Sequence, residues 1–249
     1  MVTFPTLREL LEAGVHFGHK KSRWHPKMSE YVFTTKAGVH VINLEKTEEK
    51  LKEAIDFISK EAALGKTFVF VGTKKQSSAI VKEAAEMCGM FYVNSRWLGG
   101  TLTNFESVKH AINRYKKQKE DLATNSENLP KSELSKLAKL VARGEKFFAG
   151  IAGLTRKPDI LLLFGSYDEK NALHEATVEG VKTVAVTDTN ADPTAVDYAI
   201  PANDDATKSV GVIAKLFANA INEAKPGEAK VEAKTDSATK ESRESVGTK

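Results

Sequence analysis

The sequence predicts an α/β protein, a doubly wound parallel sheet of about five strands into which an antiparallel α-helical coiled-coil hairpin is inserted. Three observations carry this reading. Short runs apolar on both faces, at residues 67–71, 91–93, 160–164, 183–186 and 198–200, alternate with segments of helical periodicity, and such runs belong to a sheet covered by helices on both sides. Between the second and third runs the alternation is broken by two consecutive helical stripes. The chain's 249 residues, 41% hydrophobic and 28% charged, can bury a core of that size and are too apolar for a disordered chain. The pattern is that of a flavodoxin-like sandwich.

Thr6-Leu7-Arg8-Glu9 is a capping box that opens a short helix, with Leu7, Leu10 and Leu11 on one face and Gly14 at its end. Residues 15–29 lack periodicity and read as an ordered loop or binding segment. Tyr31-Val32-Phe33 and Val39-His40-Val41-Ile42, on either side of a turn with Gly38, predict a β-hairpin. Leu51, Ala54, Ile55, Ile58 and Ala62 recur at helical spacing up to Gly65. Strand 67–71, helix 77–88 and strand 91–93 follow.

Phe105, Val108, Ile112, Tyr115 and Leu122 form one stripe, and Leu134, Leu137, Val141, Phe148 and Ile151 another, separated by the polar stretch 124–130. Facing stripes of this kind pack as a helical hairpin, expected to project from the sheet with Lys116 and Lys117 on its exposed side. Strand 160–164, helix 172–179, strands 183–186 and 198–200 and a last helix complete the order. The expected division is a discontinuous α/β domain at 1–104 and 153–224, the hairpin at 105–152, and a disordered tail at 225–249, which has no aromatic residue and alternates Lys with Glu.

The longest apolar run, residues 160–164, is far below the ~20 residues of a membrane-spanning helix. No basic region followed by an apolar one marks the N-terminus as a secretory signal. The single cysteine, Cys88, excludes a disulfide framework and a Cys-based zinc finger. A cytoplasmic protein without a membrane partner is expected. Charge is segregated: residues 1–157 carry 27 Lys and Arg against 17 Asp and Glu, whereas residues 158–205 carry 2 against 10. A basic N-terminal part suits a polyanion, and the acidic block is expected to face solvent or protein.

The densest nucleic-acid signal is His16-Phe17-Gly18-His19-Lys20-Lys21-Ser22-Arg23-Trp24-His25-Pro26-Lys27, where cations interleave with aromatics. Cations contact phosphates while an aromatic stacks on a base or seals the loop. Gly72-Thr73-Lys74-Lys75 follows a parallel strand and precedes a helix, as a phosphate cradle does. No complete nucleotide fingerprint surrounds it, so an RNA phosphate is the favoured ligand and a nucleotide-binding enzyme the alternative. Arg96 and Trp97 in Asn94-Ser95-Arg96-Trp97-Leu98-Gly99-Gly100 either touch RNA or anchor the hairpin. The first hairpin helix carries Lys109, Arg114, Lys116 and Lys117 with no acidic residue among them. The expected RNA-contacting set is therefore Lys20, Lys21, Arg23, Trp24, Lys27, Lys74, Lys75, Arg96, Lys109, Arg114, Lys116 and Lys117. No catalytic constellation and no required cofactor is expected. A bound divalent cation, zinc or magnesium, has His16, His19, Asp188 and Asp204 as its candidate donors.

HFGHKKSRWHPKM, GVHVINLEKT, FVGTKKQ, NSRWLGGTLTNF and DTNADPTAVDYAIPANDDATKS, in this order and spacing, resemble the family of bacterial small-subunit ribosomal protein two over roughly residues 7–224. The resemblance implies a flavodoxin-like domain with an inserted coiled-coil hairpin and a place on the solvent side of the small subunit, between head and body. It further implies binding to small-subunit ribosomal RNA, contacts with neighbouring small-subunit proteins including docking of ribosomal protein one, no catalytic role and no homo-oligomer. The chain departs from the family's pattern after the third strand, where Phe164-Gly165-Ser166 stands in place of a common aspartate.

Overall fold

A computed structural model describes residues 3–124 and 130–225 of the chain. The stretch 125–129 between the hairpin helices and the expected tail beyond Lys225 lie outside them. Helix α1 (Leu7–Glu12) carries the predicted capping box, with Glu9 N donating to Thr6 Oγ1 and Thr6 N to Glu9 Oε2. Leu10 is buried, and Ala13 and Val15 follow it into the main core. Helix α2 (Leu44–Ala63) starts before its periodic apolar residues, because the Asn43 side chain accepts from Glu45 N and caps it.

Residues 15–29 are more ordered than a loop. They contain strand β1 (Phe17–Lys20), which pairs with β3 (Val39–Ile42), itself paired with β2 (Val32–Lys36), in a three-stranded antiparallel sheet of order β1-β3-β2. β1 shows no strand alternation in sequence because its side chains do not split into an apolar and a polar face. Backbone pairing holds it, together with a close approach to the loop after a strand of the main sheet. A Cβ on Gly18 would lie 2.6 Å from Thr189 Cγ2, so glycine is required there.

The main sheet contains β4 (Phe68–Val71), β5 (Phe91–Val93), β6 (Ile160–Phe164), β7 (Lys182–Thr187) and β8 (Tyr198–Pro201), all parallel, in the order β5-β4-β6-β7-β8. Renumbered within the sheet this is 2-1-3-4-5, the flavodoxin-like order. Phe68, Phe70, Leu162, Phe164, Val184 and Val186 face α2, α3 (Ser78–Met87) and α7 (Thr207–Ala224) in one buried cluster. Val69, Val71, Leu161, Leu163 and Ala185 face the other way, toward α6 (Lys170–Glu179). Among the described residues no helix is long and apolar enough to cross a membrane.

Helices α4 (Phe105–Thr124) and α5 (Lys131–Phe148) pack against each other. Tyr115 lies so close to Gly144 that a Cβ there would sit 2.3 Å from its ring. Its hydroxyl donates to Glu145, which Lys119 Nζ also meets at 3.0 Å. The root of the pair is not separate from the sheet. Phe105, Val108, Ile112 and Ile151 belong to the same buried cluster as Val69 and Leu161, whereas Leu134 and Leu137 on α5 are only half-buried and Leu140 is exposed.

Candidate nucleic-acid interface

In an open α/β sheet of this winding, ligands bind outside the carboxyl ends of the strands, where the strand order reverses. Here that place lies between β4 and β6, and the chain's own groups fill it. Lys74 Nζ is 2.8 Å from both Asp204 Oδ1 and Asp205 Oδ1 and 3.1 Å from Asp168 Oδ2, with 14% of its side chain exposed. Burial would lower its pKa, but Asp204 and the other carboxylates outweigh burial and hold it charged. Thr73 N donates to Glu169 Oε1 at 2.7 Å, and Glu169 is itself held protonated to higher pH, chiefly by burial. Lys74 is thus a correction to the expected RNA set: three carboxylates already neutralise its charge. The phosphate cradle on which the enzyme alternative rested loses its lysine for the same reason.

The loops after β7 and β8 meet β1. His19 N donates to Thr189 Oγ1 at 2.8 Å and His25 N to Thr189 O at 2.7 Å. The His19 ring places Nδ1 3.0 Å from Asp188 Oδ2 and Nε2 3.3 Å from Asp205 Oδ2. Its pKa is raised, first by the Asp188 contact, against a smaller opposing effect of burial. Asp204 is fully buried, and burial followed by the charge of Asp188 pushes its carboxyl up to about 7. Of the four candidate metal donors, His19, Asp188 and Asp204 come together with Asp205. His16 does not join them: its ring lies on Phe17, centroids 4.0 Å apart, and burial lowers its pKa.

Beside this cluster opens a cleft of about 540 Å³ whose lining includes Gly18, His19, Lys20, Arg23 and Asp205. Lys20, Lys21 and Arg23 are exposed and have no ion pair among the described residues. Trp24 is half-buried, its ring tilted against His40 with centroids 5.3 Å apart. Lys27 differs from its neighbours, because its Nζ is held by Asp192 Oδ2 at 2.7 Å and Thr194 Oγ1 at 2.6 Å. Burial would raise the Asp192 carboxyl, but Lys27 and Thr194 bring it down to about 2.

A second basic group lies on the hairpin. Arg114, Lys116 and Lys117 are exposed on α4, Lys109 is half-buried, Arg96 is exposed on the loop that leads to α4, and Lys75 is exposed between β4 and α3. The sequence reading missed Lys136, Lys139, Arg143 and Lys146, exposed on α5 at spacings that put them on one helical face. Trp97 is turned inward, where it anchors the loop before α4. It is 5% exposed and its Nε1 donates to Glu175 Oε1 at 3.0 Å.

Much of the acidic block is likewise internal, contrary to its expected place at the surface. Glu175 accepts from the loop before α4, Glu169 from Thr73 N, the half-buried Asp159 from Thr67 N, and Asp188 and Asp204 sit in the cluster above. These carboxylates order loops rather than face a partner.

The sequence model of the family described as Ribosomal protein S2 matches residues 10–224. A bacterial relative, small ribosomal subunit protein uS2 of Dictyoglomus thermophilum, is 46% identical over 221 residues, which cover 88% of this chain and 89% of the relative.

Proposed function

The chain belongs to the ribosomal protein S2 family, and from that premise we propose that it is a non-catalytic, structural constituent of the small ribosomal subunit, working in translation in the cytoplasm. It binds small-subunit ribosomal RNA through phosphate contacts from Lys20, Lys21 and Arg23, with Lys75, Arg96, Arg114, Lys116 and Lys117 adding to them. The observation that carries this reading is the contrast among its cations. Lys27 and Lys74 are neutralised internally, while Lys20, Lys21 and Arg23 stay exposed without an ion pair among the described residues, at the end of a strand fixed by Thr189. Cations held in place and left unpaired are what a polyanion needs. Contacts with neighbouring small-subunit proteins, ribosomal protein one among them, belong to the same proposal. The exposed apolar side chains of Phe17, Phe33 and Tyr167 are groups such contacts would cover. The protein acts there as a single copy, between head and body.

Salt dependence tests it. Binding to small-subunit ribosomal RNA should weaken steeply as salt rises, each phosphate contact adding about 0.7–0.9 to the log–log slope, so replacing Lys20, Lys21 and Arg23 together by Ala should flatten the slope by about 2 to 3. An unchanged slope and affinity would remove this segment from the interface.

A further inference from the structure

The chain has two tryptophans, Trp24 and Trp97, placed in opposite ways. Trp97 is buried, and its Nε1 donates to Glu175. Trp24 is half-buried, and its Nε1 reaches solvent with no hydrogen-bond partner among the described residues. A tryptophan that served only the core would pair that donor as it enclosed it. The backbone on both sides of Trp24 is nevertheless held. Lys21 N donates to Gly38 O at 2.9 Å and His25 N to Thr189 O at 2.7 Å, so the residue between them keeps a fixed place beside the small sheet.

The second observation concerns what lies under the indole. Its ring rests on His40, with centroids 5.3 Å and planes 38° apart. His40 is 5% exposed, and Thr35 Oγ1 lies 3.1 Å from its Nδ1, which fixes the imidazole. Its Nε2 is buried without a partner. An aliphatic side chain would seal the loop without that cost, whereas an imidazole backs the indole with a second flat ring. Burial, and then the charge of Lys21, lower the His40 pKa, so the support is uncharged at neutral pH. Around this pair, Lys20, Lys21 and Arg23 are exposed, without an ion pair among the described residues, and within four positions of Trp24. A nucleotide presents a flat base next to a phosphate, and cations beside a partly exposed aromatic can hold both at once.

We propose that Trp24, backed by His40, is a stacking platform for an unpaired base of RNA, while Lys20, Lys21 and Arg23 hold the phosphates on either side of that base. The inference rests on the RNA-binding reading above and narrows it: the segment takes a base from a single strand or a loop, because the bases of a duplex are already stacked on one another. Every base has a π-face, so the platform selects unpaired RNA rather than a sequence.

The experiment is titration of the full-length protein, followed by tryptophan emission, with a short oligouridylate and separately with the duplex it forms with oligoadenylate. Trp97 is enclosed, so a change on binding reports Trp24. The single strand should quench the emission and the duplex should bind without quenching. Trp24→Phe should remove the quenching yet hold the affinity for oligouridylate within about threefold, because phenylalanine still stacks. Trp24→Leu should weaken that affinity roughly 5–150-fold and leave duplex binding, which uses phosphates alone, within about twofold. Circular dichroism checks that each variant folds. Should Trp24→Leu fail to fold, the wild-type contrast between single strand and duplex makes the same comparison. If neither RNA bound, the RNA-binding reading and this inference would fall together. If both bound, and lost affinity when Lys20, Lys21 and Arg23 were replaced by Ala, but the single strand quenched no more than the duplex or Trp24→Leu kept wild-type affinity, the platform alone would be overturned. Trp24 would then be a surface for a neighbouring protein.

Discussion

Glu175→Ala is expected to lower the stability of the folded protein by about 3–5 kcal/mol at neutral pH, through buried donors left unpaired. The Glu175 side chain comes from α6 and is 7% exposed. Its Oε1 accepts from Trp97 Nε1 at 3.0 Å and Gly100 N at 2.9 Å, and its Oε2 from Leu102 N at 2.9 Å and from Thr103 N and Oγ1 at 3.2 and 3.3 Å. One carboxylate thereby sets the path of the whole loop from Trp97 to Thr103, and that loop delivers the chain to α4. Alanine supplies no acceptor. Each stranded N–H costs roughly 1–3 kcal/mol, reduced where water can enter.

The pH dependence has a definite sign. Burial would raise the Glu175 carboxyl, but the donors of Leu102, Trp97, Gly100 and Thr103 prevail and lower it from the ordinary 4.5. A carboxylate whose folded pKa is depressed stabilises fully above its unfolded value and loses that contribution as pH falls through the folded one. The stability gap between wild type and Glu175→Ala, measured by urea unfolding, should therefore be widest near pH 7 and narrow below the ordinary glutamate value. A gap under about 1 kcal/mol at pH 7 would show that water replaces the carboxylate, and the loop would not depend on it.

The strands were legible because burial on both faces writes itself into consecutive residues, and 160–164 matches β6 residue for residue. Apolar spacing reveals α2 only from Leu51 onward although the helix begins at Leu44, because its first turns are charged and only the Asn43 cap marks the start. β1 was hidden because its pairing partner lies some twenty residues on and its side chains carry no alternation. The acidic block misled for a related reason. Linear charge balance treats each carboxylate as solvated, yet Glu175 is bonded to a loop more than seventy residues before it, and Asp204 to a lysine 130 residues away. Nothing local distinguishes Lys74 from Lys75, one enclosed by carboxylates and the other exposed. On α5, Glu133 and Glu145 dilute the charge along the sequence, so the face shared by Lys136, Lys139, Arg143 and Lys146 emerges only when the helix is drawn.

Ile112→Asp should destabilise the entire protein by roughly 4 kcal/mol or more, the sum of a lost apolar side chain and a carboxyl forced into an apolar site. A hairpin that folded apart from the sheet, as the division at residue 105 implies, would open and leave the sheet intact. Burial points elsewhere: Ile112 is 2% exposed and shares its cluster with Phe105, Val108, Ile151 and Leu154, and with Val69, Val71, Leu161 and Leu163 on the face of the sheet. A charge at that point disturbs the layer beneath β4 and β6. Leu137, half-buried on α5 and outside that cluster, is the control, and Leu137→Asp should cost less than about 1.5 kcal/mol because the side chain can turn to water. Urea unfolding followed by tryptophan fluorescence, which reports Trp97 beside the root and Trp24 against the small sheet, and by far-ultraviolet circular dichroism should give coincident curves for Ile112→Asp, both shifted to lower urea. If the helical signal instead fell first while the fluorescence transition kept its wild-type midpoint, the hairpin would be melting alone. The boundary between the two parts would then lie at residue 105, where the sequence put it, and the shared cluster would contribute little to holding the root on the sheet.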